Sequence, residues 1–236
     1  TPIVHHTLLT QGIGESYLAD MIAAWEDSLP PYMKLAYLPQ PGLVRLRLTA
    51  KGDFNDLKEQ VVFQIENLKQ LIKEYLFGEE EDTIERVVAK LLTEKNLTLS
   101  LSESCTGGFI SHLLTSIPGS SKYFIGSVIS YDNKIKTNEL NVDAEVLKKN
   151  GAVSEPVARQ MAEGIRKKFG SDVSISTSGI AGPTGGSEHK PVGTVFIGVS
   201  VGDKTEVKKF QLGENRQRII QVTATTALNM LRKMLL

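Results

Sequence analysis

From residue 83 to its end the chain alternates between two periodicities. Apolar residues recur at helical spacing over about 83–95 (Ile84, Val87, Val88, Leu91, Leu92), from 108 onward, at about 143–150 and 154–169, and in a closing helix with Ile220, Ala224, Ala227, Leu231 and Met234. Strand patterns lie between them at 97–103, 123–131, 172–178, 192–201 and 205–212. A chain that switches in this order buries its apolar faces by packing helices on both sides of a sheet. The expectation is therefore an α/β fold, a layered α/β/α domain with a mixed sheet. Gly202-Asp203 joins the last two strands as an antiparallel pair at one edge. The stretch 123–131 is nearly continuous in apolar and small residues, which predicts a strand buried on both faces.

Residues 1–78 have a different rhythm and are expected to form a small α+β domain, with 79–236 as the larger one. A strand around 2–9 leads through Gly12-Ile13-Gly14-Glu15 into a helix with Tyr17, Leu18, Met21, Ile22 and Trp25 on one face. Strands near 33–38 and 42–50 flank Pro39-Gln40-Pro41-Gly42, a hairpin signature. A long helix follows, striped by Leu57, Val61, Ile65, Leu68, Ile72 and Tyr75. Gly78-Glu79-Glu80-Glu81-Asp82 breaks the pattern and reads as a linker and helix N-terminus, where the macrodipole favours acidic side chains.

Composition narrows the function classes. Lys plus Arg equals Asp plus Glu at 27 each, so the chain lacks the electrostatic footprint of a dedicated nucleic-acid binder. Residues 1–78 carry 7 basic and 9 acidic side chains, against strong contact with a phosphate backbone. No apolar run approaches the roughly 20 residues of a membrane span, and no charged-then-apolar leader is present. The single cysteine, Cys105, excludes an internal disulfide and fits a reducing cytosol, so a cytoplasmic location is expected. His5, His6, His112 and His189 are scattered, which speaks against a metal site. The chain opens at Thr1, inside a strand pattern, as a piece of a longer protein would.

Chemistry concentrates at strand ends. Glu103-Ser104-Cys105-Thr106-Gly107-Gly108 reads as a strand end, a tight turn and a helix start. Its backbone N–H groups and hydroxyls suit an anion or a developing oxyanion, although a capped strand–helix connection has the same composition. Gly119-Ser120-Ser121, Tyr131 to Lys136 and Ser176 to Gly186 share this character, and ligands of layered α/β folds sit beyond strand ends. Neither a Walker loop nor a GxGxxG fingerprint occurs. Cys105 is either a nucleophile at a helix start or a small buried residue. With no histidine placed to serve as base, a lysine could activate a hydroxyl, and Lys134 and Lys136 adjoin the glycine-rich ends. Lowering a lysine by about 3 units from about 10.4 corresponds to roughly 4 kcal/mol, within reach of a desolvated pocket.

Together, E-S-C-T-G-G (103–108), P-G-S-S (118–121), Y-D-N-K-I-K (131–136), G-A-V-S-E-P (151–156), S-G-I-A-G-P-x-G-G (178–186), K-P-V-G-T-V (190–195) and Gly213 to Arg216 resemble the CinA C-terminal family of nicotinamide-nucleotide amidohydrolases. Residues 1–78 look like the KH-type domain that precedes this unit in full-length CinA proteins. The resemblance implies hydrolysis of nicotinamide mononucleotide to nicotinate mononucleotide and ammonia, without metal or other cofactor, through a serine–lysine pair. Carried onto this chain, the pair is Ser121 and Lys136. Ser104, Tyr131, Ser178 and either Arg216 or Arg218 would line the substrate site, with Cys105, Thr106, Gly107, Gly108 and Gly179 also in contact with substrate. Ser121 precedes the 123–131 strand and Lys136 follows it, and nine extended residues span about 30 Å. The segment must therefore bend, the pair must form between subunits of a homo-oligomer (a dimer being favoured), or Ser104 is the nucleophile.

Two other functions compete. One is a nucleic-acid or protein adaptor whose C-terminal domain senses a nucleotide without turning it over. The other is a hydrolase of a different nucleotide amide or ester.

Overall fold

The computed structural model describes residues 2–53 and 55–236, and the chain divides into two compact units, 1–84 and 85–236. The first unit runs β1 (Ile3–Gln11), α1 (Glu15–Asp27), β2 (Met33–Gln40), β3 (Leu43–Lys51), α2 (Leu57–Leu71) and β4 (Leu76–Glu79). All neighbours in its sheet are antiparallel, in the order β2-β3-β1-β4, a split β-α-β arrangement. Leu18, Ile22 and Trp25 of α1 and Val61, Ile65 and Leu68 of α2 share one core with Leu8, Leu46 and Leu48 of the strands.

β4 corrects the linker expected there. The helix stops at Leu71, and Leu76–Glu79 is a strand beside β1. Glu79 accepts hydrogen bonds from His6 (2.7 Å) and Lys69 (2.6 Å) rather than facing a helix N-terminus. Four residues, one of them Gly78, are too few to show a period.

The second unit runs α3 (Ile84–Glu94), β5 (Leu99–Glu103), α4 (Phe109–Thr115), a 3-10 turn (Ser120–Lys122), β6 (Phe124–Ile129), α5 (Asn133–Leu140), α6 (Ala144–Asn150), α7 (Glu155–Phe169), β7 (Val173–Gly179), β8 (Thr194–Val201), β9 (Lys204–Gln211) and α8 (Arg216–Leu235). Its sheet order is β6-β5-β7-β8-β9. β5 is parallel to β6 and β7, whereas β7-β8 and β8-β9 are antiparallel, so the sheet is mixed as expected. α7 lies across β5, β7 and β8, and α8 packs on β7 and β8 with α4 beside it. Serines on β7 face α7, where Ser174 and Ser176 donate to the Ala162 and Ala158 carbonyls at 2.6 Å each. Those bonds satisfy hydroxyls that would otherwise be buried without partners.

Two departures from the sequence expectation shape the site. First, β6 is an edge strand and not a doubly covered one, with Ile125 and Ile129 exposed at 48% and 43%. Second, a helix absent from the periodicity reading, α5, begins directly after it. Asp132 caps α5 by accepting from the Lys134 N–H at 2.8 Å. Apart from Ile135 and Leu140 the helix is polar, which hid it from an apolar-stripe argument. α5 is anchored where Leu140 and Val142 meet Val157, Met161 and Ile165 of α7.

Gly164 allows that contact, because a Cβ there would overlap the Leu140 carbonyl oxygen. Gly164→Ala is therefore expected to lower stability by about 1–3 kcal/mol, the range for overpacking a closed contact, as read by thermal unfolding. An unchanged midpoint would mean that α5 and α7 separate without cost.

Candidate active site

Three strand ends meet at the carboxyl edge of the parallel part of the sheet. β5 delivers Ser104, β6 delivers Ser130 and Tyr131, and β7 delivers Ser178 and Gly179. The turn after β5 needs two successive left-handed residues, and Gly107 (φ 59°) and Gly108 (φ 98°) supply them. Glu103 holds the turn in place. It is 1% exposed, and its carboxylate accepts from the N–H groups of Gly108, Ile110 and Ser111 at 3.1, 3.1 and 2.9 Å and from the Ser111 hydroxyl at 2.6 Å. Thr106 Oγ1 pairs with Thr177 Oγ1 at 2.8 Å, and the Ser104 N–H donates to the Thr177 carbonyl at 3.0 Å.

These bonds revise the expected phosphate cradle. Glu103 already occupies the first N–H groups of α4, so an incoming anion there would meet a buried carboxylate. The N–H groups of Cys105 and Thr106 have no acceptor among the described residues.

Among the described residues Lys136 is the largest fully buried side chain, at 1% exposure. Its Nζ lies 2.6 Å from the Ser130 carbonyl oxygen, 3.3 Å from that of Tyr131 and 3.4 Å from Ser104 Oγ. As an ammonium it donates to all three oxygens; as a neutral amine, with two N–H groups and one lone pair, it keeps its donors on the two carbonyls and turns the lone pair to the Ser104 hydroxyl. Burial pushes the Lys136 ammonium below the ordinary lysine range, while the Asp132 carboxylate opposes the shift. Lys136 also sits in the first turn of α5, where the helix dipole disfavours a cation.

The cavity at this point measures about 220 Å³. Ser104, Cys105, Lys136, Tyr131, Ser178, Gly179 and Arg216 all line it. Arg216 leads α8, where it donates to the Gly182 carbonyl (2.8 Å) and reaches the Tyr131 hydroxyl (3.4 Å). Arg218, the other candidate, is not part of the lining. Ser178 donates to the Ala152 carbonyl at 2.7 Å. Asn133, Ala152, Val153 and Ala181 complete the wall, and all four fall inside motifs legible in the sequence without a role attached.

Four expected residues are elsewhere. Thr106, Gly107 and Gly108 belong to the turn but not to the lining. Ser121 lies in the 3-10 turn before β6, at the opposite end of that strand from Lys136. Six strand residues span about 20 Å, so one chain does not bring Ser121 and Lys136 together. The serine beside the lysine is Ser104.

Burial pushes the Cys105 thiol up to about 12, so it is not a thiolate at neutral pH despite its place near a helix start. A disulfide reagent at pH 8 is expected to leave the native chain unlabelled and to titrate one thiol after unfolding. Rapid labelling of the native chain would contradict that burial.

Among the described residues no group of three His, Cys, Asp or Glu side chains is placed to hold a metal ion, and no helix is long and apolar enough to cross a membrane.

Two family models match the chain, the CinA C-terminal domain over residues 81–235 and the damage-inducible protein CinA KH domain over 5–78. A CinA-like protein of Cytophaga hutchinsonii is 48% identical over 234 residues, covering 99% of this chain and 56% of that protein. One from Dictyoglomus thermophilum is 41% identical over 241 residues, covering 99% of this chain and 57% of its own length. The chain thus spans little more than half the length of these curated relatives. Among solved structures, the competence/damage inducible protein CihA from Agrobacterium tumefaciens superposes with a TM-score of 0.62 at 36% identity, over 64% of this chain and 92% of that one. With both of its segments matched in order, the chain belongs to the CinA family.

Proposed function

We propose that the chain is a nicotinamide-nucleotide amidohydrolase that converts nicotinamide mononucleotide to nicotinate mononucleotide and ammonia. The observation that carries this reading is the buried Lys136 amine, 3.4 Å from Ser104 Oγ and tied to two carbonyls. Ser104 Oγ attacks the carboxamide carbon as its proton passes to Lys136 Nζ. The oxyanion is met by the N–H group of Cys105, a donor at the cavity wall left without a protein acceptor. The C–N bond then breaks, and Lys136 returns the proton to the departing ammonia. Water, deprotonated by the same amine, hydrolyses the ester and frees Ser104.

Substrate charge fits this scheme. The pyridinium is cationic, so a protonated lysine beside it would be repelled and the neutral amine is favoured. Arg216 at the cavity wall offers a bidentate partner for the phosphate, a role denied to the α4 end by Glu103. A lysine buried without a carboxylate partner has no evident use in a passive nucleotide sensor, so the hydrolase is favoured over the adaptor.

The test is ammonia release from nicotinamide mononucleotide by the purified chain, with free nicotinamide as a control lacking ribose and phosphate. Turnover of the nucleotide and little of nicotinamide supports the reading. Turnover of neither, with salt-sensitive RNA binding, would transfer support to the adaptor.

A further inference from the structure

β7 and β8 are antiparallel neighbours, and their ladder ends with Gly179 opposite Val195. A hairpin connection needs about two to five residues, yet residues 180–193 lie between these strands. The Gly193 N–H donates to the Ile180 carbonyl at 2.8 Å and the Ile180 N–H to the Thr194 carbonyl at 2.9 Å, so the two ends close into a neck. Surface loops of such length with their ends together commonly carry function. Residues 183–189 are all exposed, so this strap does not serve to fill a core.

The strap reaches the walls of the candidate active site at both ends. Ala181, at its start, lines the cavity, and the carbonyl of Gly182 accepts from Arg216. Near its end a turn presents Lys190: the Ser187 N–H donates to the Lys190 carbonyl at 2.9 Å, and the Lys190 N–H donates to Ser187 Oγ at 3.2 Å. Lys190 Nζ donates in turn to the carbonyl of Asn150, the last residue of α6, at 2.7 Å. Asn150 leads through Gly151 into Ala152 and Val153, which are another stretch of cavity wall.

Three successive carbonyls of that stretch are held by side chains from three different elements. Lys190 of the strap holds Asn150, Ser154 at the start of α7 holds Gly151 at 2.8 Å, and Ser178 of β7 holds Ala152 at 2.7 Å. A carbonyl at the end of a helix has no donor within the helix, and a cation suits that position. Capping α6 would need only the lysine. Here the segment that carries the lysine also supplies Ala181 and the Gly182 carbonyl that orients Arg216.

We propose that Lys190 is a positioning residue for the substrate cavity, tying the 150–153 wall to the strap that begins at Ala181. The proposal rests on the hydrolase reading only for the identity of the substrate. Loss of the tie frees a wall that meets the substrate equally before and during reaction, and it leaves the Ser104–Lys136 pair in place. Such a loss raises KM and spares kcat.

Hydrogen exchange on the ligand-free chain and steady-state kinetics test this together. Lys190→Met keeps the side-chain stem and removes the donor. In that variant the Gly151 and Ser187 amides, both hydrogen-bonded within these segments, should exchange about tenfold faster. KM for nicotinamide mononucleotide should rise about tenfold, with kcat within about threefold of wild type. Lys190→Arg can still donate to the Asn150 carbonyl and should bring both readings back towards wild type. Unchanged exchange at Gly151 in Lys190→Met overturns the tie, whatever the chain hydrolyses. Faster exchange with KM unmoved overturns the positioning role and leaves Lys190 a helix cap. A wild-type chain that turns over no nucleotide would instead remove the hydrolase reading, and exchange alone would then decide the tie.

Discussion

Replacing Lys136 with methionine is expected to reduce kcat for deamidation by about 10³–10⁴-fold while KM moves only a few-fold, the pattern of a lost general base that makes little ground-state contact. Methionine keeps the length and apolar stem of the side chain that α5 holds in the core. The fold should persist, and circular dichroism would establish that. The pH profile of the wild-type enzyme carries the same information. The base form is the neutral amine, so kcat/KM should be low where Lys136 is an ammonium and rise with pH to a plateau. Because burial lowers the Lys136 pKa, the rise should fall below the ordinary lysine range near 10.5. In Lys136→Met that limb should disappear. A midpoint at the ordinary lysine value would mean that the amine is solvated and charged through the physiological range, and the proposed base would be lost.

Ser104→Ala is expected to be as damaging as the lysine change, at about 10³-fold or more, since the two groups act as a unit and their losses should not add. Ser121→Ala should change kcat/KM by no more than about twofold, the scale of a surface substitution away from the site. The contrast follows from topology. Ser104 ends β5, whose parallel neighbour β6 leads into the helix that carries Lys136, so both groups arrive at one edge of the sheet. Ser121 is attached to the other end of β6. Should Ser121→Ala abolish turnover while Ser104→Ala retains it, the nucleophile would have to come from a second copy of the chain.

Much of this arrangement is legible in the amino acids. The alternation of periods specifies the layered sheet, because helices of two to five turns and strands of this length each leave a strong repeat. The turn of Glu103 to Gly108 is recognisable because two glycines at a strand–helix junction imply two left-handed residues. Other features are invisible for physical reasons. β4 has four residues, too few for alternation to register. α5 is held by a cap and two apolar contacts, so its pattern is polar although its lysine is among the most buried groups in the chain. The exposed edge of β6 reads as a central strand, because an apolar run carries no information about how many neighbours it has. Glu103 is legible only as a member of a motif, since its carboxylate acts on N–H groups five to eight residues later, a contact that only the folded turn creates. The resemblance names Lys136 and several residues that line the cavity, and of the two serines offered by the sequence the fold places Ser104 beside that lysine.

One measurement bears most directly on the Ser104–Lys136 pair. The chain would be mixed rapidly with excess nicotinamide mononucleotide, quenched in acid within one turnover, digested, and its peptides weighed by mass spectrometry. The account predicts a nicotinoyl-nucleotide ester on the peptide holding Ser104, absent from Ser104→Ala and strongly reduced in Lys136→Met. An ester on Ser121, or a thioester on Cys105, would contradict it.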